Sequence, residues 1–194
     1  MADITPAEAR ESLADIDFTA RQMRRALAAS QFSAHLMTWG LVWIVGFGCS
    51  YLFSHGIGRV WAVLVSLGLA CSLGLGLAEQ RRPVVQSAQG RKLGLQILLF
   101  WIAIIAYAEM LGWLLPLPTV AARLVVIVTV IMLGYVVLGI WMRSAILGLI
   151  GLGVTLATLA GWHWLLPRDF MLWMAVFGGG GLFVPGLYVR LRWK

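Results

Sequence analysis

Residues 124–142 read LVVIVTVIMLGYVVLGIWM, a run without a single charged side chain. A bilayer's hydrocarbon core is about 30 Å thick and needs about 20 apolar residues of helix to cross it. The run therefore predicts one transmembrane helix. Five more stretches have the same character: 36–53, 60–78, 93–115, 145–166 and 170–189.

The breaks between them carry turn chemistry. His55-Gly56-Ile57-Gly58 closes a first hairpin, Leu115-Pro116-Leu117-Pro118 a second, and Leu166-Pro167-Arg168-Asp169 a third. The one sizeable internal loop runs over 79–92, with Pro83 and Gly90, whereas only Arg143 and Ser144 separate the fourth and fifth runs. The expected fold is all-α: a polytopic membrane protein of six transmembrane helices in three hairpins, preceded by an amphipathic helix. Residues 1–35 form the cytoplasmic helix and connector, and residues 36–194 the transmembrane domain.

Composition agrees. Apolar residues make up 61% of the 194, and charged residues only 12%, about half of what a soluble domain carries. Mean hydropathy is +0.89. The net charge of +7 would raise nucleic-acid binding in a soluble chain, but no basic module accompanies it, so no nucleic-acid partner is expected. The basic residues stand at helix ends instead.

Their distribution orients the chain, because lysine and arginine accumulate on the cytoplasmic side. With the N-terminus inside, that side holds Arg10, Arg21, Arg24, Arg25, Arg81, Arg82, Arg91, Lys92, Arg143, Arg190, Arg192 and Lys194; the other holds Arg59, Arg123 and Arg168. Both termini are thus expected in the cytoplasm. Tryptophans prefer the interfaces, and Trp39, Trp141 and Trp193 fall near the inner ends. Trp61, Trp113, Trp162, Trp164 and Trp173 fall near the outer ends. Trp43 lies one turn deeper, and Trp101 alone is placed at mid-membrane. The charged first 35 residues lack a processing pattern, so the expected location is a cell inner membrane, with the N-terminal segment retained.

Cys49 and Cys71 fall in the first two spans, on the order of 10 Å apart in depth by helical rise. That is too far for a disulfide, and both read as packing residues.

The N-terminal segment has its own start signal: Thr5 to cap, Pro6 in the first turn, and Glu8 to complete a capping box. Leu13, Ile16, Ala20, Met23 and Leu27 follow 3-4-3-4 spacing on one stripe. Acidic residues precede Arg21, Arg24 and Arg25, an order that complements the helix dipole. Two readings stay open. The face Leu13, Ile16, Met23 and Leu27 rests on the lipid bilayer or the bundle, or it binds a cytosolic protein partner or a second copy of the chain.

Each inward-running span ends alike: Gly76-Leu77-Ala78 leads to Arg81, Gly139-Ile140-Trp141-Met142 to Arg143, and Gly186-Leu187-Tyr188-Val189 to Arg190. This marks the three hairpins as candidate repeats, a design common in transporters. Gly178, Gly179, Gly180 and Gly181, followed by Pro185, mark either close helix packing or a helix break lining a cavity. Irregular backbone is expected there.

Ionisable groups inside spans are functional candidates. Glu109 is the clearest, about 9 Å inside the third span by helical rise. Arg123 at the start of the fourth is its expected counter-charge, and His163 near the end of the fifth completes the candidate polar cluster. His55 and Asp169 would extend it into an outward-facing vestibule. The spacing matches no metal motif, and no catalytic serine or zinc-protease pattern appears. Neither enzyme activity nor a cofactor is expected.

Pro6-Ala7-Glu8-Ala9-Arg10, Trp39-Gly40-Leu41-Val42-Trp43, Gly134-Tyr135-Val136-Val137-Leu138-Gly139 and Leu172-Trp173-Met174-Ala175-Val176 with the glycines and Gly186-Leu187-Tyr188 after them carry a resemblance. The chain resembles small six-helix bacterial inner-membrane proteins with an N-terminal amphipathic helix and no assigned activity. The resemblance implies architecture and no function. The Pro-x-acid-x-x-base signature of mitochondrial carriers is absent. Two functions remain: a membrane component of a sensing or regulatory system working through its N-terminal helix, or a small channel or transporter with Glu109 in its path.

Overall fold

In the computed structural model, residues 32–53, 56–80 and 88–192 are described. The N-terminal stripe, His55 and residues 81–87 lie outside them, while residues 79–80 and 88–92 of the expected 79–92 loop are helical. Six helices are long and apolar enough to cross a membrane: α1 (Phe32–Leu52), α2 (Ile57–Gln80), α3 (Ala88–Leu114), α4 (Val120–Trp141), α5 (Ala145–Trp164) and α6 (Pro167–Arg192). Among the described residues there is no strand. This is the helical architecture of a multi-pass membrane protein.

Most helices begin a few residues earlier than their apolar runs, because capping chemistry sets where a helix starts. Thr119 takes an extended conformation and its hydroxyl accepts from Ala122 N at 3.1 Å, so α4 starts at Val120. Pro167 occupies the first turn of α6, where its missing N–H costs nothing. Gly56, at φ 72°, turns the chain into α2, a left-handed conformation that glycine adopts without a Cβ clash.

The α4–α5 connection spans three residues, Met142 to Ser144. Ser144 N donates to Gly139 O at 2.8 Å and Arg143 N to Ile140 O at 3.2 Å, the paired bonds of a Schellman cap. That motif places its pivot in the left-handed region, and here the pivot is Arg143, at φ 52°.

Neighbouring helices run antiparallel, and glycines bring them together. A Cβ on Gly139 would stand 2.5 Å from Gly148 N, and one on Gly151 2.7 Å from Met132 O, so α4 and α5 meet backbone to backbone. This is the most extensive contact among α2 to α6. α1 meets α6 in the same way: a Cβ on Gly40 would lie 2.6 Å from Phe183 N, and one on Gly179 2.7 Å from Ile44 N. In lipid, where burying apolar surface between helices gains little, such close approach is what holds them. α2 lies against α1, where the Trp61 ring covers Gly46 and its indole N–H donates to Ser50 Oγ at 3.0 Å. α3 lies against α4 through Trp101, Ile104 and Gly112.

The order in space is therefore α2, α1, α6, α5, α4, α3. α6 is 44% buried along its span, whereas α2 and α3, at the two ends of this series, are 6% and 11% buried. Although consecutive in the chain, they do not pack along one another among the described residues. The core is built from the other four helices, with Phe47, Met132, Leu138, Phe170, Met174 and Leu182 almost fully enclosed.

α6 is continuous through its glycines. Met174–Gly179 form a π-helical segment between Pro167–Trp173 and Gly180–Arg192, and Pro185 sits inside the last part. The backbone widens here and the helix does not break.

Candidate functional site

The stripe of α3 that faces α4 carries Trp101, Ile104, Ala108 and Gly112, spaced by three or four residues so that they share one face. Ala108 is fully buried. Glu109 adjoins that face, five residues before the end of α3. Arg123 is the fourth residue of α4, on the helix that leaves the Pro116/Pro118 turn. Arg123 Nη2 donates to Glu109 Oε2 at 3.1 Å.

Gly112 makes the reach possible. The Arg123 side chain passes over it so closely that a Cβ there would stand 3.2 Å from both Cγ and Nε. The side chains of Arg123 and Glu109 are 45% and 56% exposed, so the pair sits on the flank of the bundle, outside its core. In water such a pair contributes about 0–1 kcal/mol. Near lipid the comparison changes, because removing one partner leaves an uncompensated charge in a poorly hydrated place, which costs about 3–5 kcal/mol when burial is complete. This half-exposed pair falls between those limits.

The other members of the expected cluster stand apart. His163, near the end of α5, is exposed and its ring contacts Trp164 at 6.0 Å between centroids. Among the described residues it forms no hydrogen bond or ion pair with Glu109 or Arg123. Asp169 is exposed in the first turn of α6. Of the five residues expected to form a vestibule, the structure brings together Glu109 and Arg123; His55 lies outside the described residues. No group of three His, Cys, Asp or Glu among the described residues could hold a metal ion. Cys49 and Cys71 are free thiols.

The glycine cluster of α6 is mostly filled. Gly178 lies under Met174 and Trp43, Gly179 under Ile44, and Gly181 against Val154, while Gly180 faces open space. Around the π-helical segment the polar groups are satisfied: Trp173 Nε1 donates to Ala157 O at 2.7 Å, and the buried Thr158 hydroxyl to Val154 O at 2.7 Å, with Met174 Sδ 3.6 Å away. These contacts tie α6 to α5 across the widened turn.

Three features had not been expected from the sequence. A cleft of about 470 Å³ opens between residues 50–53 of α1 and its following turn and Pro167, Arg168 and Met171 of α6, with the Arg168 guanidinium 5.1 Å above the Tyr51 ring. His35 Nδ1 lies 3.4 Å from Ser72 Oγ across α1 and α2. Trp101 stacks edge-on against Tyr135, with ring centroids 5.0 Å apart. Only the last had a sequence signal, the placement of Trp101 far from either interface.

No family model, no curated protein and no solved structure matches the chain.

Proposed function

We propose that this protein is a packed membrane component of a sensing or regulatory assembly, and not a conduit. The observation that carries this reading is the state of the glycine cluster: Gly178, Gly179 and Gly181 are closed by Trp43, Ile44, Met174 and Val154, where a broken helix lining a conduction path would leave them facing a cavity. The Glu109–Arg123 pair supports the same reading, since it lies on the flank, away from any route through the core.

In this reading the chain lies in a cell inner membrane with both termini cytoplasmic, and its six spans form three hairpins. The orientation rests on the arginine and lysine distribution. The N-terminal amphipathic helix, with Leu13, Ile16, Met23 and Leu27 on one face, docks on a cytosolic protein partner. A bundle packed at its glycine cluster leaves its termini and lipid-facing flanks for signalling, and the N-terminal stripe is the most patterned of these.

Two measurements test the proposal. Replacing Leu13, Ile16 and Met23 with serine should leave insertion intact and abolish co-purification of a specific partner from native membranes; an unchanged set of co-purifying proteins would remove the docking role. In reconstituted vesicles, wild-type protein should add no proton or cation flux. Flux lost on Glu109→Gln would establish the transport reading in its place.

A further inference from the structure

α1 ends at Leu52 and α6 begins at Pro167, so the cleft between them opens at the membrane face opposite the start of α1. Trp162 and Trp164, exposed at the end of α5 a few residues before Pro167, mark the depth of the headgroup layer, where indoles collect. Arg168 and Tyr51 both line the cleft, with the guanidinium 5.1 Å from the ring centroid. The ring face attracts the charge, but the five N–H donors of a guanidinium still need acceptors. Among the described residues Arg168 forms no hydrogen bond or ion pair, not even with Asp169 beside it in the chain. Arg123, at the same face, has Glu109. Arg168 has no such acid.

What the cleft lacks follows from its lining. A guanidinium with free donors matches the oxygens of a phosphate, and in a bilayer the anion present at this depth is the lipid phosphodiester. Leu52, Phe53, Pro167 and Met171 make the walls apolar. Ser50 Oγ is already engaged, donating to Gly46 O at 2.8 Å and accepting from Trp61 Nε1 at 3.0 Å. A small hydrated anion would leave those walls unfilled. At about 470 Å³ the cleft falls within the range of sites for organic ligands, about 300–1,000 Å³. No carboxylate stands among its described lining residues, so the ammonium of a zwitterionic headgroup would find no counter-charge. Leu52 and Phe53, 67% and 58% exposed, give acyl chains a surface to lie on.

We infer that this cleft binds a glycerophospholipid of one net negative charge, its phosphate held by Arg168 and its glycerol and first acyl carbons against the apolar walls. This goes beyond the regulatory reading and does not depend on the N-terminal helix having a partner.

The test uses the full chain in a non-ionic detergent, titrated with dioctanoyl phosphatidylglycerol and read by native mass spectrometry. Dioctanoyl phosphatidylcholine and inorganic phosphate are titrated in parallel. The wild type should bind phosphatidylglycerol more tightly than either. Arg168→Gln should weaken that binding at least about tenfold, the effect of one charge-assisted hydrogen bond. Phe53→Asp, which sets a carboxylate on the cleft wall and leaves Arg168 in place, should weaken it as well. Arg59→Gln removes the same charge from an exposed residue of the same face that is not among the lining residues, and should bind as the wild type does. Equal losses in Arg59→Gln and Arg168→Gln would reduce the effect to surface charge and overturn the inference, as would no loss in Arg168→Gln. Phosphatidylcholine bound as tightly would overturn the charge selection, and inorganic phosphate bound as tightly would make this a site for a free anion and not for a lipid.

Discussion

At φ 52° Arg143 holds a backbone conformation that costs an L-residue with a Cβ about 1–2 kcal/mol. Schellman pivots are usually glycine for that reason. Arg143→Gly should therefore raise the thermal unfolding midpoint in detergent, by the equivalent of about 1 kcal/mol; an unchanged or lower midpoint would show that the guanidinium makes up the strain. Charge explains why arginine persists there in our reading, since this turn has no other basic residue to hold it on the cytoplasmic side. Glu109 and Arg123 form the second residue-scale case. Glu109→Gln should lower stability because Arg123 is left without its partner, and Glu109→Gln with Arg123→Gln should recover part of the loss, the signature of coupled sites. Strict additivity in that cycle would reduce the ion pair to a bystander. The pair was legible in the sequence because one acid stood inside a span and one counter-charge stood beyond the next turn. Gly112, which lets the arginine lie across α3, was not legible: its role depends on how two helices are offset along their axes.

At the scale of elements, neighbouring glycines in α6 should respond in opposite directions. Gly179→Ala would drive a Cβ to 2.7 Å from Ile44 N and 3.0 Å from Gly40 O, forcing α1 and α6 apart at a cost of about 1–3 kcal/mol. Gly180 faces open space with helical backbone angles, so Gly180→Ala should gain up to about 1 kcal/mol from helix propensity. Comparing the two midpoints checks the α1–α6 contact, and equal effects would refute it. The existence of the six helices was legible, since each apolar run is long enough to span. Their partners were not. A helix apolar on all sides shows no preferred face, so nothing in the runs told that α1 sits beside α6 or that α2 and α3 stay apart. The glycines of α6 announced irregular backbone, and it appears as the π-helical segment. Trp101 left one trace in the sequence, its placement far from either interface, but its contact with Tyr135 stayed hidden because the two stand on different helices.

For the whole molecule, the decisive measurement is sidedness. With Cys49 and Cys71 replaced by alanine, a cysteine at Ser87 should be labelled from the cytoplasm and one at Thr119 from the opposite side, whether or not the Thr119 cap is lost. Labelling of both from one face would contradict six spans, and reversal of both would contradict the charge-based orientation. The spatial order of the helices also sets a timetable. α4 and α5 are joined by a three-residue turn and make the broadest contact among α2 to α6, so they can pair as soon as both have been made. The glycine contacts of α1, by contrast, are completed only by α6, with four other spans synthesised in between. At about 5–20 residues per second, the first helix waits on the order of ten seconds in the membrane, with Gly40 and Ile44 facing lipid or a chaperone, before the helix that fits them leaves the ribosome.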